Sequence, residues 1–349
     1  MTQSLKVTST LVAVGAALAV GILLLLAVGA PPLEALWLLV VGSVGSASKL
    51  AITLLAWSPL ILAAAGLVVT FAAGLWNIGV EGQLIMGAIA ASWVARSVSG
   101  PVWVVVPLTI IAGALGGGAW ALLAGVLKTH GHVHEIFGGL GLDFVAAGLA
   151  TYLVIGPWKR AGVASTSGTD IFREEAWMPT FEAFGVSWPV IPVALGIASV
   201  VFVWLLLRGT LFGLKLKAVG SNTYSSYIRG IPTNRYLLGA FAIGGALAGV
   251  AGSVQATAFH HKLVPAISGG YGFLAILVVL LAGFSAVAIA PIAFFFVAIS
   301  VGSTQLDLRL GVDSAFGGVL QGVIVLFVLL AGGWAAKHAS NTLTPRKEP

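Results

Sequence analysis

Ten mostly apolar runs follow one another along this chain, near residues 10–30, 51–73, 78–97, 102–127, 136–157, 189–207, 236–257, 271–284, 286–305 and 314–334. Most are close to the roughly 20 residues that a helix needs to cross the hydrocarbon of a bilayer. A helix satisfies its backbone polar groups within its own segment, as hydrocarbon demands. The chain therefore reads as an all-α polytopic membrane protein of about ten transmembrane helices, with residues 1–349 as a single transmembrane domain. The run at 271–284 is short, and the reading expects its helix to start earlier or to tilt. Composition supports this class: charged residues are 8%, against about 25% in a soluble domain. The mean hydropathy is +1.06. The 46 glycines fit helices that approach closely through small residues.

Lys6 precedes the apolar run Leu11–Ala30. That run exceeds the roughly 7–15 apolar residues of a signal peptide, so it reads as an uncleaved first span. The chain has no cysteine, which excludes disulfides, thiolate chemistry and cysteine-ligated metals. The net charge of +6 reads as a basic cytoplasmic face and not as a nucleic-acid surface.

Sidedness comes from one polar stretch. Residues 208–235 hold Arg208, Lys215, Lys217, Arg229 and Arg235 and no acid, which marks a cytoplasmic loop. Its middle reads as a short helix from Asn222 to Arg229, closed by Gly230, with Pro232 beyond. Ten spans put both termini on the same side. The cytoplasm then receives Lys6, Lys128, those five residues, Lys337, Arg346 and Lys347, ten in all; the opposite face receives Lys49, Arg96, Lys159, Arg160, Arg173, Lys262 and Arg309, seven in all. The polar segment 158–188 becomes an extracytoplasmic loop or small subdomain.

Several chemistries are absent from the sequence. No Gly-Lys dipeptide occurs, so the chain has no phosphate-binding loop of the Walker A type. GGLGLD at 138–143 fails the dinucleotide spacing. HGHVHE at 130–135 would bring His130 and His134 beside Glu135 only if it were helical; otherwise it is a loop at a span end, and no metal site is assigned. Glu81, in GLWNIGVEGQLIMG (74–87), is an acid within a span and so a functional candidate. The alternative is that it caps a helix N-terminus. The glycines around it suggest a broken helix or re-entrant turn.

GLWNIGVEGQLIMGAIAA (74–91) resembles a signature of permease subunits of bacterial ABC importers, in the branch that takes up nucleosides and simple sugars. GALGGGAWALLAGVLKTH (113–130), VHEIFGGLGLDFVA (133–146), the stretch 213–255, SGGYGFLAILVVLLA (268–282) and VLQGVIVLFVLLA (319–331) resemble the same family in order. Gly138, Gly139 and Asp143 stand where the family usually has an Asn-containing run. LAGFSAVAIAP (281–291) replaces a charged or polar turn.

The resemblance implies half of a membrane pore, of the larger-subunit type. Its expected partners are a second permease, homologous or identical, two cytoplasmic ATPase subunits and an extracytoplasmic substrate-binding protein. ATP and Mg would sit on the ATPases, with no cofactor in this chain. The setting is the bacterial plasma (inner) membrane. The resemblance assigns ATPase coupling to Gly220, Ser221, Asn222, Ser225, Ser226, Tyr227, Arg229 and Gly230. For a neutral amphipathic substrate such as a nucleoside, Phe71, Trp76, Asn77, Glu81, Gln83 and Tyr271 are the candidate pathway residues; a pentose or hexose is the alternative. An ion-coupled secondary transporter is the rival outside this class, but only Glu81, Asp143, Asp307 and Asp313 lie near spans. No selectivity filter and no clustered catalytic set is present.

Overall fold

The computed structural model describes residues 15–343 apart from 17, 161 and 163–166, and gives only the backbone course at 332 and 334–343. Its helices are α1 (Leu18–Ala27), α2 (Pro32–Val44), α3 (Ala47–Ala72), α4 (Val80–Ser97), α5 (Val102–Thr129), α6 (Glu135–Ile155), α7 (Val190–Gly209), α8 (Leu211–Ser221), α9 (Thr223–Ile228), α10 (Thr233–Val254), α11 (Tyr271–Leu281), α12 (Ile289–Leu310) and α13 (Phe316–Leu343). Each of the ten expected spans falls on one of them, although residues 10–14 of the first lie outside the described residues. Among the described residues six helices, α3, α5, α6, α7, α10 with its following turn, and α12, are long and apolar enough to cross a membrane alone. The chain divides into two compact units, Leu54–Phe294 and the two ends, Met1–Thr53 with Phe295–Pro349.

In the unit of the two ends, α1 and α2 meet at 113°. Gly29 is left-handed at φ 77, and the pair Pro31-Pro32 stops one helix and opens the next. No span is expected between residues 30 and 51, where the structure places α2. Its residues Leu38 and Leu39 pack with Leu25, Ile299, Leu306 and Leu320 in one buried cluster.

In the larger unit, α4, α5 and α10 pack through glycine. A Cβ on Gly113 would lie 2.7 Å from the carbonyl oxygen of Gly249, and one on Gly117 would lie 2.6 Å from its Cα. Gly87 of α4 meets the same Gly249 backbone. Only glycine lets three backbones come this close.

α10 ends in a π-helical turn, Gln255–Phe259. Irregular backbone follows, with Leu263 and Ile267 buried. Gly269 and Gly270 are left-handed at φ 56 and 77, and only then does α11 begin. The expected earlier helix start is therefore corrected: the two glycines break the helical path. The 11 residues of α11 give about 16 Å of helix.

The 158–188 segment folds over this irregular stretch. Thr169 N–H donates to Leu263 O at 2.9 Å, Phe172 N–H to His261 O at 2.8 Å and Met178 N–H to Thr257 O at 3.2 Å. Trp177 stacks on His261 with ring centroids 4.2 Å apart. Beyond it, β1 (Phe181–Ala183) pairs antiparallel with β2 (Val186–Trp188). Phe184 and Gly185, both at positive φ, form the tight turn.

Candidate functional site

Two places in the larger unit hold the candidate residues. The first is the α8–α9 segment. Thr210 opens α8, its Oγ1 accepting from Gly213 N–H at 3.0 Å. Asn222 separates α8 from α9 and caps α9, its Oδ1 accepting from Ser225 N–H at 2.8 Å, the usual role of Asn at that position. Gly230, at φ 81, closes α9, and Ile231 N–H returns to Ser226 O at 3.1 Å. The short helix expected from Asn222 to Arg229 is thus α9 with its two caps.

The coupling candidates divide by orientation. Ser221, Ser225, Tyr227 and Arg229 are exposed, whereas Ser226 is buried. Tyr224, Tyr227 and Ile228 are 75%, 68% and 67% exposed, so a six-residue helix in a basic loop presents an apolar, aromatic surface. Gly220 turns inward: a Cβ there would lie 2.8 Å from Gly74 N.

The second place is the start of α4. Residues 73–79 interrupt the helical path between α3 and α4, and Gly74 is left-handed at φ 74, so the expected broken helix is present. Asn77 and Gln83 exchange two amide hydrogen bonds at 3.0 and 2.9 Å and are buried. Glu81 is buried and accepts from Gly272 N–H at 2.7 Å. Phe71 meets Trp76 edge-on at 5.3 Å and Phe284 at 5.4 Å. Trp76 and Phe284 keep 45% and 48% of their surface exposed. Tyr271 is the first residue of α11, and its N–H donates to Ser268 O at 3.0 Å.

Sequence reasoning gave no site role to Phe284 or Asp143. Asp143, on α6, is buried and accepts from Gly82 N–H at 2.7 Å. The signal for it was available, since an acid inside a span is a functional candidate by default. Phe284 carried none, being one more aromatic after an apolar run.

The histidine run is not one helix. α5 ends at Thr129 and α6 starts at Glu135, so His130 and His134 do not share a face. His134 caps α6, and Glu135 pairs with Lys128 Nζ at 2.6 Å. Burial holds His260 and His261 below the usual imidazole range; Lys262 adds to this at His260, and the bond from His261 Nδ1 to Thr257 O opposes it.

Residues 49–329 match the family described as "Branched-chain amino acid transport system / permease component". The glucose ABC transporter permease protein TsgB13 of Haloferax volcanii is 32% identical over 322 residues, covering 90% of this chain and 84% of that protein. The guanosine ABC transporter permease protein NupP of Bacillus subtilis is 29% identical over 340 residues, 95% of each chain. The nucleoside ABC transporter permease protein NupB of Lactococcus lactis is 27% identical over 335 residues, 93% of this chain and 90% of the relative. The chain belongs to this permease family. It is a multi-pass membrane protein and a transport subunit, not an enzyme.

Proposed function

We propose that this chain forms part of the translocation pathway of an ATP-driven, binding-protein-dependent importer of nucleosides. The observation that carries the importer reading is α9. It is capped at both ends and lies in a loop without acids. It shows Tyr224, Tyr227 and Ile228 to solvent. An apolar patch rimmed by polar residues marks a protein-docking surface, and the expected occupant is a cleft of a cytoplasmic ATPase subunit. ATP and Mg would be held there. A second permease, similar or identical, would complete the pore, and an extracytoplasmic binding protein would deliver substrate on the side of residues 158–188. Both chain termini would then be cytoplasmic.

The nucleoside reading draws on the names of two relatives that match nearly the full chain. The half-exposed rings of Trp76 and Phe284 support it, since aromatic faces stack on a base. A sugar is the second reading, favoured by the 32% identity to a permease named for glucose.

The test is purification of this protein from its native membrane with the co-purifying subunits identified. Recovery of an ATPase and a second permease is the expected result. The ligand on a co-purified binding protein then separates nucleoside from sugar. Recovery of this chain alone, still transporting without ATP, overturns the reading.

A further inference from the structure

Glu81 and Asp143 are buried carboxylates, and among the described residues neither forms an ion pair. Each accepts a backbone N–H from the first turn of a helix other than its own. Asp143 on α6 takes the N–H of Gly82, the third residue of α4; Glu81, the second residue of α4, takes the N–H of Gly272, the second residue of α11. A helix N-terminus offers free donors and about half a unit of positive charge. The partner of each carboxylate is therefore a helix end. Both donors are glycines for a steric reason. A Cβ on Gly82 would lie 2.7 Å from Asp143 Oδ1, and one on Gly272 would lie 2.6 Å from Glu81 Cα.

This series connects to α9. Gly74, in the break before α4, approaches Gly220 of α8: a Cβ on Gly74 would lie 2.9 Å from Gly220 O. Only Asn222 separates α8 from α9. Along the chain, α11 is joined to α10 only through irregular backbone from 260 to 270.

We propose that Asp143 and Glu81 are positioning residues that join α6, α4 and α11 into one body, through which a movement of α9 reaches α11. The proposal rests on the importer reading. Displacement of α9 enters at the Gly220–Gly74 contact and turns α4 about the 73–79 break. α11 follows because Glu81 holds its first turn. On this account Glu81 does not line the substrate pathway; its carboxylate faces a helix end.

The test uses the whole importer reconstituted in membranes. The chain has no cysteine, so introduced cysteines are the only thiols of this subunit. Trp93 on α4, Phe273 on α11 and Ile197 on α7 are exposed positions. With spin labels at Trp93→Cys and Phe273→Cys, the distance is expected to stay constant between nucleotide-free and ATP-bound states. The distance between Ile197→Cys and Phe273→Cys is expected to shift.

Glu81→Ala should raise the ATP hydrolysed per substrate imported by about tenfold in the assembled complex. Glu81→Gln, which keeps an oxygen for the Gly272 N–H, should recover most of the coupling. A purely structural role would lower the yield of complex and leave that ratio unmoved. Nucleotide-dependent parting of Trp93 and Phe273 overturns the proposal, and this measurement stands even if Glu81→Ala does not assemble. Normal stoichiometry in an assembled Glu81→Ala complex overturns it too. A wild-type complex without ATP-driven uptake strikes at the importer reading instead; the relay alone fails when the wild type imports and the two helices part.

Discussion

The buried polar residues around α4 and the short helix α9 differ in where their side chains find partners. Asn77 and Gln83 satisfy each other, and Glu81 and Asp143 each hold a backbone N–H. At α9, Asn222, Thr223 and Ser226 are tied into the fold, while Tyr224, Tyr227 and Ile228 face outward. A polar group buried without a bond costs free energy, so the inner set is fixed by necessity. An outward aromatic on a water-facing loop gains nothing until something covers it. The polar residues buried around α4 thus mark rigidity, and the apolar residues exposed on the polar α9 loop mark a contact.

The largest effect expected from breaking this contrast is at Gly249. Backbone of α4 and α5 lies against it on both sides, so Gly249→Leu has no rotamer that avoids a clash. Overpacking costs about 1–3 kcal/mol or more, and we expect no monodisperse folded permease after detergent extraction. Recovery of normal protein would mean that the interior yields as readily as α9.

Next in size are changes on α9. Gly230→Pro replaces a left-handed residue by one fixed near φ −65°, and Tyr227→Ala removes an outward anchor. Both should fold with normal yield. Loss of one interface hot spot costs about 2 kcal/mol or more, so binding of the ATPase should weaken by roughly thirtyfold for Tyr227→Ala. Uptake should fall with it. Unchanged uptake after either substitution would remove α9 from the coupling path.

The inner set gives a sharper, smaller test. Asn77→Leu leaves the Gln83 amide buried and unpaired, at about 1–3 kcal/mol. The double change Asn77→Leu with Gln83→Leu removes both amides and should recover most of that loss. Thermal unfolding of the four proteins in one detergent measures the cycle. A double variant as unstable as the sum of the singles would show that the amides bind something besides each other.

What the sequence disclosed follows the range of the physics involved. Apolar runs and caps are local, so the places of the apolar helices and the bounds of α9 were readable from run length, Asn222, Gly230 and Pro232. The site geometry was not, because Asp143 reaches Gly82 across 61 positions and Glu81 reaches Gly272 across 191, and no local pattern encodes such pairs. Both readings of Glu81 were open in the sequence; its carboxylate takes a first-turn N–H of a helix far along the chain. α2 was missed because Pro31-Pro32 read as the end of a span, while the backbone beyond continues into a packed helix; the earlier start expected for α11 failed because Gly269 and Gly270 are left-handed.

The smallest effect expected lies where 158–188 covers the stretch after α10, a region half-way between the two extremes. His260 and His261 are partly buried there, and burial holds both below the usual imidazole range. The unfolded or opened segment, with ordinary values near 6.5, therefore takes up protons before the closed one. Closure is fully favoured above about pH 6.5 and weakens as pH falls below it. The N–H groups of Thr169, Phe172 and Met178, which bond across the cover, report this directly. Their hydrogen-exchange protection, corrected for the intrinsic rate, should decline from pH 7 toward pH 5.5, and His261→Gln should flatten the decline. Protection that stays level with pH in the wild type would place the cover with the fixed interior, held by its backbone bonds and the Trp177 stack alone.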